Sequence, residues 1–152
     1  MTDDLDKIDR AILDVVSRDG RITVTELADR VGLSKTPCAL RLRKLEEAGY
    51  VRGYRAVLDP EKLGRSHIAF VQVSLTDTKT AALEAFNVAV RAVPEIEQCH
   101  MIAGSFDYLI KVRTRDITDY RLVLGEKITS LPHVSHTSTF VAMAAVKDDY
   151  LS

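Results

Sequence analysis

Apolar residues follow a helical spacing along the first part of the chain. Recurrence every three or four positions predicts a first helix that ends at Asp19-Gly20. A shorter second helix is predicted over residues 24–31, because Thr23 can cap it and Glu26 follows three residues later. The apolar face of the first helix is formed by Leu5, Ile8, Ile12, Leu13 and Val16.

A third helix is predicted after Gly32-Leu33-Ser34, a tight turn in which glycine tolerates a positive φ. Ser34 can cap this helix, which runs to about Ala48-Gly49, and Pro37 falls in its first turn, where a missing N–H costs nothing. Helical spacing places on its inner face Cys38, Leu42, Leu45 and Ala48. It places on the outer face Lys35, Thr36, Ala39, Leu40 and Arg43, with Arg41 and Lys44 on the flanks.

Beyond the third helix the pattern changes. Residues 50–58 are predicted to form a short β segment, a wing, and the Asp59-Pro60 turn begins a linker. The remaining chain predicts the order βαββαβ, the split βαβ or ferredoxin-like plan. Its elements are strands at 68–75, 96–103, 108–112 and 134–146, with helices at 79–93 and 116–130 on Ile117, Tyr120, Leu124 and Ile128.

The predicted fold class is therefore α+β, with an N-terminal helix-turn-helix (winged) domain joined to a C-terminal ferredoxin-like βαββαβ sandwich. We place the helix-turn-helix domain and its connecting strand at residues 1–63, and the sandwich at residues 64–152. With 46% hydrophobic residues, a chain of 152 residues can bury a core without disulfides or metal. An acidic start, two unpatterned cysteines and the lack of a long apolar run predict a cytoplasmic protein without a membrane partner.

Charge is distributed unevenly although the net charge is only −1. Residues 1–29 carry 4 basic and 8 acidic groups, whereas residues 30–55 carry 7 basic and 2 acidic groups. A basic helix in a helix-turn-helix plan is typical of a protein that inserts this helix into the major groove of double-stranded DNA. The alternative is a solvated basic helix in an ordinary three-helix bundle. The candidate DNA-binding residues are Ser34, Lys35, Thr36, Pro37, Arg41, Arg43, Lys44, Arg52 and Arg55.

The second half carries no motif for catalysis or metal binding. Cys99 and His100 are neighbours on a predicted strand and point to opposite faces, and His133 and His136 have no nearby partner in sequence. The loop from Gly104 to Tyr108 is a candidate ligand site, because its amide groups and Asp107 suit a small zwitterion. The alternative is a hairpin in which Gly104 allows the turn and Asp107 bonds its own backbone.

The outer face of the predicted sheet suggests self-association. We expect this face to be too apolar for water and to be covered by a second subunit. Such a two-fold dimer would present two DNA-reading helices to a pseudo-palindromic site. The residues assigned to this face are Ile68, Phe70, Ile110, Val112 and Phe140.

Several segments resemble the Lrp/AsnC family of transcriptional regulators along essentially the whole chain. The helix-turn-helix likeness lies in LDKIDRAIL at 5–13, RVGLSKTPC at 30–38, RLRKLE at 41–46 and GYVRGY at 49–54. The effector-domain likeness lies in AGSFDYLIKV at 103–112 and TSTFVAM at 137–143. Leu40 departs from the family pattern, in which a polar side chain is common on the outer face of the third helix.

The resemblance implies an amino-acid effector pocket between dimers, and four dimers that close into an octameric ring. The residues that it assigns to the pocket are Gly104, Ser105, Asp107, Thr137 and Thr139. Residues 99–108 and 138–143 look most like activators of proline dehydrogenase genes, which makes proline the candidate effector. No cofactor, metal or catalytic residue is implied.

The sequence thus predicts an amino-acid-responsive transcriptional regulator that binds specific DNA and controls genes of amino-acid metabolism. Two other classes stay open on the residues alone: an enzyme on the ferredoxin-like half, and a ligand-binding or protein-interaction module that does not bind DNA.

Overall fold

The computed structural model describes residues 5–148 and contains two compact units. Among the described residues, the first unit comprises 5–58 and the second comprises 59–148. The domain boundary at residues 63 and 64 remains a prediction. No helix within residues 5–148 is long and apolar enough to cross a membrane.

The first unit consists of three helices, α1 (Lys7–Arg18), α2 (Val24–Val31) and α3 (Lys35–Glu47). Thr23 and Glu26 form a reciprocal capping box at the start of α2, as predicted. Gly32 ends α2 with a φ of 73°, a left-handed conformation that favours glycine, which confirms the predicted turn. The core of this unit contains Ile12, Val16, Leu27, Ala28, Cys38 and Leu45.

Three local predictions for this unit are wrong. Ser34 occupies the N-cap position of α3 but its hydroxyl makes no capping hydrogen bond, and Ala48 is exposed because α3 ends before it. Residues 50–58 form no strand. A strand requires a neighbouring backbone for its ladder, and no strand lies within the described part of this unit. The Tyr54 hydroxyl instead donates a hydrogen bond to the Glu46 carboxylate at 2.7 Å.

The second unit has the predicted βαββαβ order. Its sheet has the strand order β2-β3-β1-β4, and every neighbouring pair is antiparallel, which confirms the ferredoxin-like plan. The elements are β1 (His67–Leu75), α4 (Thr80–Arg91), β2 (Ile96–Met101), β3 (Tyr108–Thr114), α5 (Ile117–Val123), a π-helical turn (Leu124–Ile128) and β4 (Val134–Val141).

The inner face of the sheet packs on the helices. Val71 pairs with Ile110, and Ala69 pairs with Val112, so these four side chains face the core together. Ile110 and Val112 are fully buried, and their assignment to the outer face is therefore wrong. Lys111 and Arg113 occupy the outer positions of β3 instead, opposite Phe70 and Ile68.

The last two elements are shorter than predicted. The helix expected over residues 116–130 changes from α to π geometry at Leu124, which fits the spacing of the buried residues Tyr120, Val123 and Ile128. Ile117 is half exposed rather than buried. The last strand ends at Val141 rather than at residue 146.

Candidate functional site

The exposed face of α3 carries side chains of mixed chemistry. Thr36, Leu40, Arg43 and Glu47 recur every three or four residues and are all exposed, opposite the buried Cys38 and Leu45. The Arg43 Nε lies 3.2 Å from the Glu47 carboxylate, and both side chains remain about two-thirds exposed to solvent, at 70% and 66%. We call Thr36, Leu40, Arg43 and Glu47 the reading stripe.

Arg41 lies beside the reading stripe and contacts α1. Its Nη1 donates to the Asp6 carboxylate at 2.6 Å and to the Asp9 carboxylate at 2.8 Å. Only 33% of the Arg41 side chain is exposed. We call Asp6, Asp9 and Arg41 the acidic clamp.

The acidic clamp also belongs to the cap of α1. The other Asp6 carboxylate oxygen accepts hydrogen bonds from the backbone amides of Ile8 and Asp9. The Asp9 amide is the main cause of the lowered pKa of Asp6, and the Arg41 guanidinium adds to it. The two carboxylates in turn raise the pKa of Arg41. The charge of Arg41 is thus compensated within its own unit.

The start of α3 is open. Ser34, Lys35, Thr36 and Pro37 are all exposed. Because the Ser34 hydroxyl makes no capping bond, the N-cap residue provides no side-chain acceptor for the first-turn amides. Such amides, at the positive end of the helix dipole, can donate to a phosphate oxygen.

The other predicted basic residues extend this surface within the first unit. Lys44 is exposed one turn from Arg41, and Arg52 and Arg55 are exposed in the irregular segment after α3. A groove of about 430 Å³ runs beside α3. Its walls include Leu5, Pro37, Leu40, Lys44 and Tyr50.

The predicted effector loop is tied to the sheet through Asp107. The Asp107 carboxylate accepts a hydrogen bond from the Leu75 amide at 2.7 Å, and the Asp107 amide donates to the Val73 carbonyl at 3.0 Å. The Ile102 amide donates to the Asp107 carbonyl at 2.8 Å and closes the loop. Asp107 therefore holds the end of β1, whereas the hairpin alternative has its side chain bonding its own backbone.

Gly104 and Ser105 lie exposed in this loop. Gly104 does not have a positive φ, and an added Cβ would meet Ile102 Cγ2 at 3.5 Å, an ordinary contact. The turn therefore does not require glycine at this position, contrary to the hairpin alternative.

Thr137 and Thr139 lie on β4, on the inner side of the sheet. Thr137 pairs with Val73 and Thr139 pairs with Val71 across β1. The Thr139 hydroxyl is hydrogen bonded to the Tyr120 hydroxyl. Within one chain the structure thus brings Thr137 and Asp107 to the two sides of Val73, and it places Thr139 two residues further along the strand.

The outer face of the sheet carries a group of four charges. The Lys111 ammonium lies 2.7 Å from the Asp148 carboxylate and 3.5 Å from that of Glu97. Arg113 contacts the same two carboxylates. The Lys111 and Arg113 side chains are only 7% and 4% exposed. We call these four residues the charge cluster, and its Asp148 comes from the segment after β4.

The acidic clamp and the charge cluster were missed in the sequence. A signal for the clamp was present, because the acidic excess of residues 1–29 faces the basic excess of residues 30–55. The strict alternation of Lys111 and Arg113 with Ile110 and Val112 was the signal for the charge cluster. Nothing in the sequence indicated the Tyr120 partner of Thr139.

Cys99 and His100 lie on opposite faces of β2, as predicted, because Cys99 pairs with the buried Ile110 and His100 with Leu109. Burial raises the pKa of the Cys99 thiol. Within residues 5–148 no group of three or more histidine, cysteine or acidic side chains is arranged to hold a metal ion.

Comparison with known proteins matches both units. Residues 5–52 match a winged helix-turn-helix DNA-binding model, and residues 68–151 match the Lrp/AsnC ligand-binding domain. A proline dehydrogenase transcriptional activator from Rhizobium radiobacter is 63% identical over 147 residues, which cover 97% of this chain and 94% of that protein. The leucine-responsive regulatory protein of Escherichia coli strain K12 is 47% identical over 95% of this chain and 88% of its own length.

Solved structures agree with these sequence relatives. A transcriptional regulator from Neisseria meningitidis, in complex with L-methionine, superimposes with a TM-score of 0.89 at 36% identity over 95% of this chain and 93% of that chain. The relatives are transcriptional regulators and not enzymes, which confirms the prediction of a non-enzymatic function. The chain belongs to the Lrp/AsnC family of DNA-binding transcriptional regulators.

Proposed function

We propose that this protein activates transcription of a proline dehydrogenase gene in the cytoplasm, in response to an amino acid. The observation that carries the proposal is the 63% identity, over 97% of the chain, to a protein named for that activity. The exposed basic surface around α3 supports DNA binding by the same chain.

In this proposal α3 enters the major groove. Lys35, Arg43 and Lys44 contact phosphates or guanine edges, while Ser34, Thr36 and the open start of α3 donate to phosphates. Pro37 shapes the first turn, and Arg52 and Arg55 extend the contact along the backbone. Arg41 mainly positions α3 against the start of α1, because its Nη1 is already bound to Asp6 and Asp9.

The second unit binds the effector, and proline is the ligand that we propose. Its carboxylate is held by loop amides at Gly104 and Ser105, and its ammonium group by Asp107. Asp107 suits this role because one of its carboxylate oxygens accepts the Leu75 amide, and the other accepts no hydrogen bond from the described residues. Thr137 and Thr139 line the same site, which is completed between dimers that assemble into an octamer.

The mechanism is a shift between assemblies. An amino acid that binds one assembly more tightly than another changes the population of the two, and with it the spacing of the DNA-reading helices. The size of the ligand's effect on DNA binding is set by the difference between its affinities for the two assemblies.

DNA binding is tested by selection from random duplexes with the full-length protein, followed by footprinting on the promoter of the proline dehydrogenase gene in the source genome. We expect a pseudo-palindromic site in both experiments. Selection of no sequence at low salt would refute DNA recognition, and a selected site that is absent from that promoter would refute the assignment of the target gene.

The effector site is tested by Asp107→Asn. An asparagine oxygen can still accept the Leu75 amide, so the fold is retained while the charge on the ammonium group is lost. Calorimetry should show that proline binding is weakened at least about tenfold, since a hydrogen bond to a charged group is worth about 1.5–3 kcal/mol. Asp77→Asn is the matched control, because Asp77 also accepts a backbone amide in a loop. Equal proline affinity in wild type and Asp107→Asn would move the site elsewhere.

A further inference from the structure

Leu40 occupies the middle of the reading stripe. Its side chain is 47% exposed, and it is the one large apolar residue on α3 that does not pack into the core of the first unit. Leu42 and Leu45, the other leucines of α3, both contact that core. A single exposed leucine is ordinary on a protein surface, so its neighbours determine what its position means.

Polar and charged groups flank Leu40 along the reading stripe, while on its other side Leu40 borders the groove that Pro37 and Tyr50 also line. Thr36 lies one turn before it and Arg43 one turn after it, and Lys44 lies on the same side of the helix. The Arg43 Nε lies 3.2 Å from the carboxylate of Glu47, which is one turn further from Leu40 along the helix. An apolar side chain therefore projects from a surface whose charge complements a polyanion.

The major groove offers one apolar group to such a side chain. Each base edge presents hydrogen-bond donors and acceptors there, and only thymine adds a methyl group, at C5. Leucine has no hydrogen-bonding group, so packing it on a cytosine amino group or on guanine acceptors would leave those groups without a partner. A thymine methyl avoids this cost.

We propose that Leu40 determines sequence specificity by packing against the 5-methyl group of a thymine in each half-site. The inference rests on the proposed function, since it requires α3 to lie in the major groove. It goes further by naming the residue, the base and the atom that are in contact. Thr36 and Arg43 contact the duplex on either side of this thymine, and these contacts fix the position of Leu40 along the groove.

The test uses the site selected by the full-length wild-type protein. Each thymine of that site is replaced in turn by deoxyuridine, which lacks only the 5-methyl group, and affinity is measured for wild type and for Leu40→Ala. Leu122→Ala is the control, because Leu122 is a similarly exposed leucine, at 55%, on a helix of the second unit. Leu40→Met tests whether another apolar side chain of similar length rescues the contact.

We expect one thymine per half-site to be sensitive to loss of its methyl. There, wild type should bind the deoxyuridine duplex about fourfold more weakly per half-site, the effect of losing one buried methyl group. Leu40→Ala should bind both duplexes equally, whereas Leu122→Ala and Leu40→Met should keep the discrimination. Sites selected by Leu40→Ala should lose their thymine preference at this position.

Two outcomes would overturn the inference and leave the proposed function intact. In the first, removing the methyl group of any thymine leaves the affinity of wild type for its site unchanged. In the second, Leu40→Ala loses as much affinity as wild type when that methyl group is removed. If Leu40→Ala instead lowered only the mass of the assembly in light scattering, Leu40 would be part of a protein interface. Failure of wild type to select any DNA would refute the proposed function itself.

Discussion

Arg41 and Arg43 lie two positions apart on α3, yet their guanidinium groups have different neighbours. Among the ion pairs of residues 5–148, Arg43 contacts the exposed Glu47 of its own helix, whereas Arg41 joins two carboxylates at the start of α1. A phosphate can displace the first contact at little cost, because an exposed ion pair contributes almost nothing to stability. Displacing Arg41 would leave Asp9, whose side chain is only 16% exposed, without its cation.

Arg43→Ala and Arg41→Ala should therefore affect DNA binding differently. Log affinity falls with log salt concentration, and loss of one phosphate contact at Arg43 makes this negative slope shallower by about 0.9. Binding is weakened at every sequence. Arg41→Ala should change the slope less and reduce amide hydrogen-exchange protection in α1. Binding titrations at four salt concentrations measure the slope, with Arg121→Ala in the second unit as the control. Equal slope changes for both α3 variants would contradict this distinction.

The sequence-based interpretation placed both arginines on the third helix but could not separate them. Both look alike in a helical pattern, and the partners of Arg41 lie 32 and 35 residues away in sequence. Pairing over such a distance depends on how two helices pack, which periodicity does not report. The caps at Thr23 and Gly32 were predictable because their geometry is complete within a few residues.

At the scale of elements, the order of the strands was predicted better than which of their residues face the core. The order of the second unit followed from alternation and turn residues. The outer face was assigned wrongly, because side chains alternate between the two faces of β3. If Ile110 and Val112 point inward, Lys111 and Arg113 must point outward. The segment 50–58 could not be predicted, since a strand pattern forms a ladder only when another backbone is beside it.

The charge cluster holds the segment after β4 on the outer face of the sheet, and Asp148→Asn tests this role. The Lys111 ammonium, hydrogen bonded to Asp148, lowers the pKa of that carboxyl below its usual 3.8. Because the folded pKa is the lower one, the stabilisation is complete above about pH 4 and is lost as pH falls through the folded value. The variant should destabilise the second unit by about 1–2 kcal/mol at pH 7, less than for a fully buried pair because a quarter of the Asp148 side chain, 24%, stays exposed.

Hydrogen exchange at the Ala142 amide, which donates to the Ile68 carbonyl, measures this effect. The difference in protection between wild type and Asp148→Asn should be largest near neutral pH and should shrink as pH falls below the usual carboxyl pKa of 3.8. Asp77→Asn serves again as the control. A difference that stays constant with pH would show that the charge of Asp148 is not what stabilises this segment.

At the scale of the whole molecule, the fold and the family were both predictable from the sequence, while the predicted dimer depends on the outer face. That face is mixed rather than apolar. Phe70 and Phe140 pair across strands and are 37% and 54% exposed, beside the buried charges of the charge cluster. The apolar part is therefore smaller than the sequence suggested, and the proposed self-association would depend more on these two rings.

Phe140→Glu should disrupt the proposed dimer. A carboxylate at this position would be desolvated against a second subunit, beside Lys111 and Arg113, which already contact two carboxylates, and this is unfavourable. Light scattering should give wild type a mass that is a multiple of 16.9 kDa, and the variant a mass near 16.9 kDa. Leu122→Glu, at a similarly exposed position on α5, should keep the wild-type mass. A single-chain mass for wild type, or an unchanged assembly of Phe140→Glu, would contradict this role of the outer face.

The acidic clamp has a consequence for how this regulator tolerates changes in its surroundings. Two aspartates offset the charge of Arg41 inside the protein, so fewer cations face the nucleic acid than a count of basic residues suggests. Fewer counterions are then released when the complex forms. Occupancy of a promoter should therefore vary less when a cell accumulates potassium under osmotic stress than it would if Arg41 also faced the DNA.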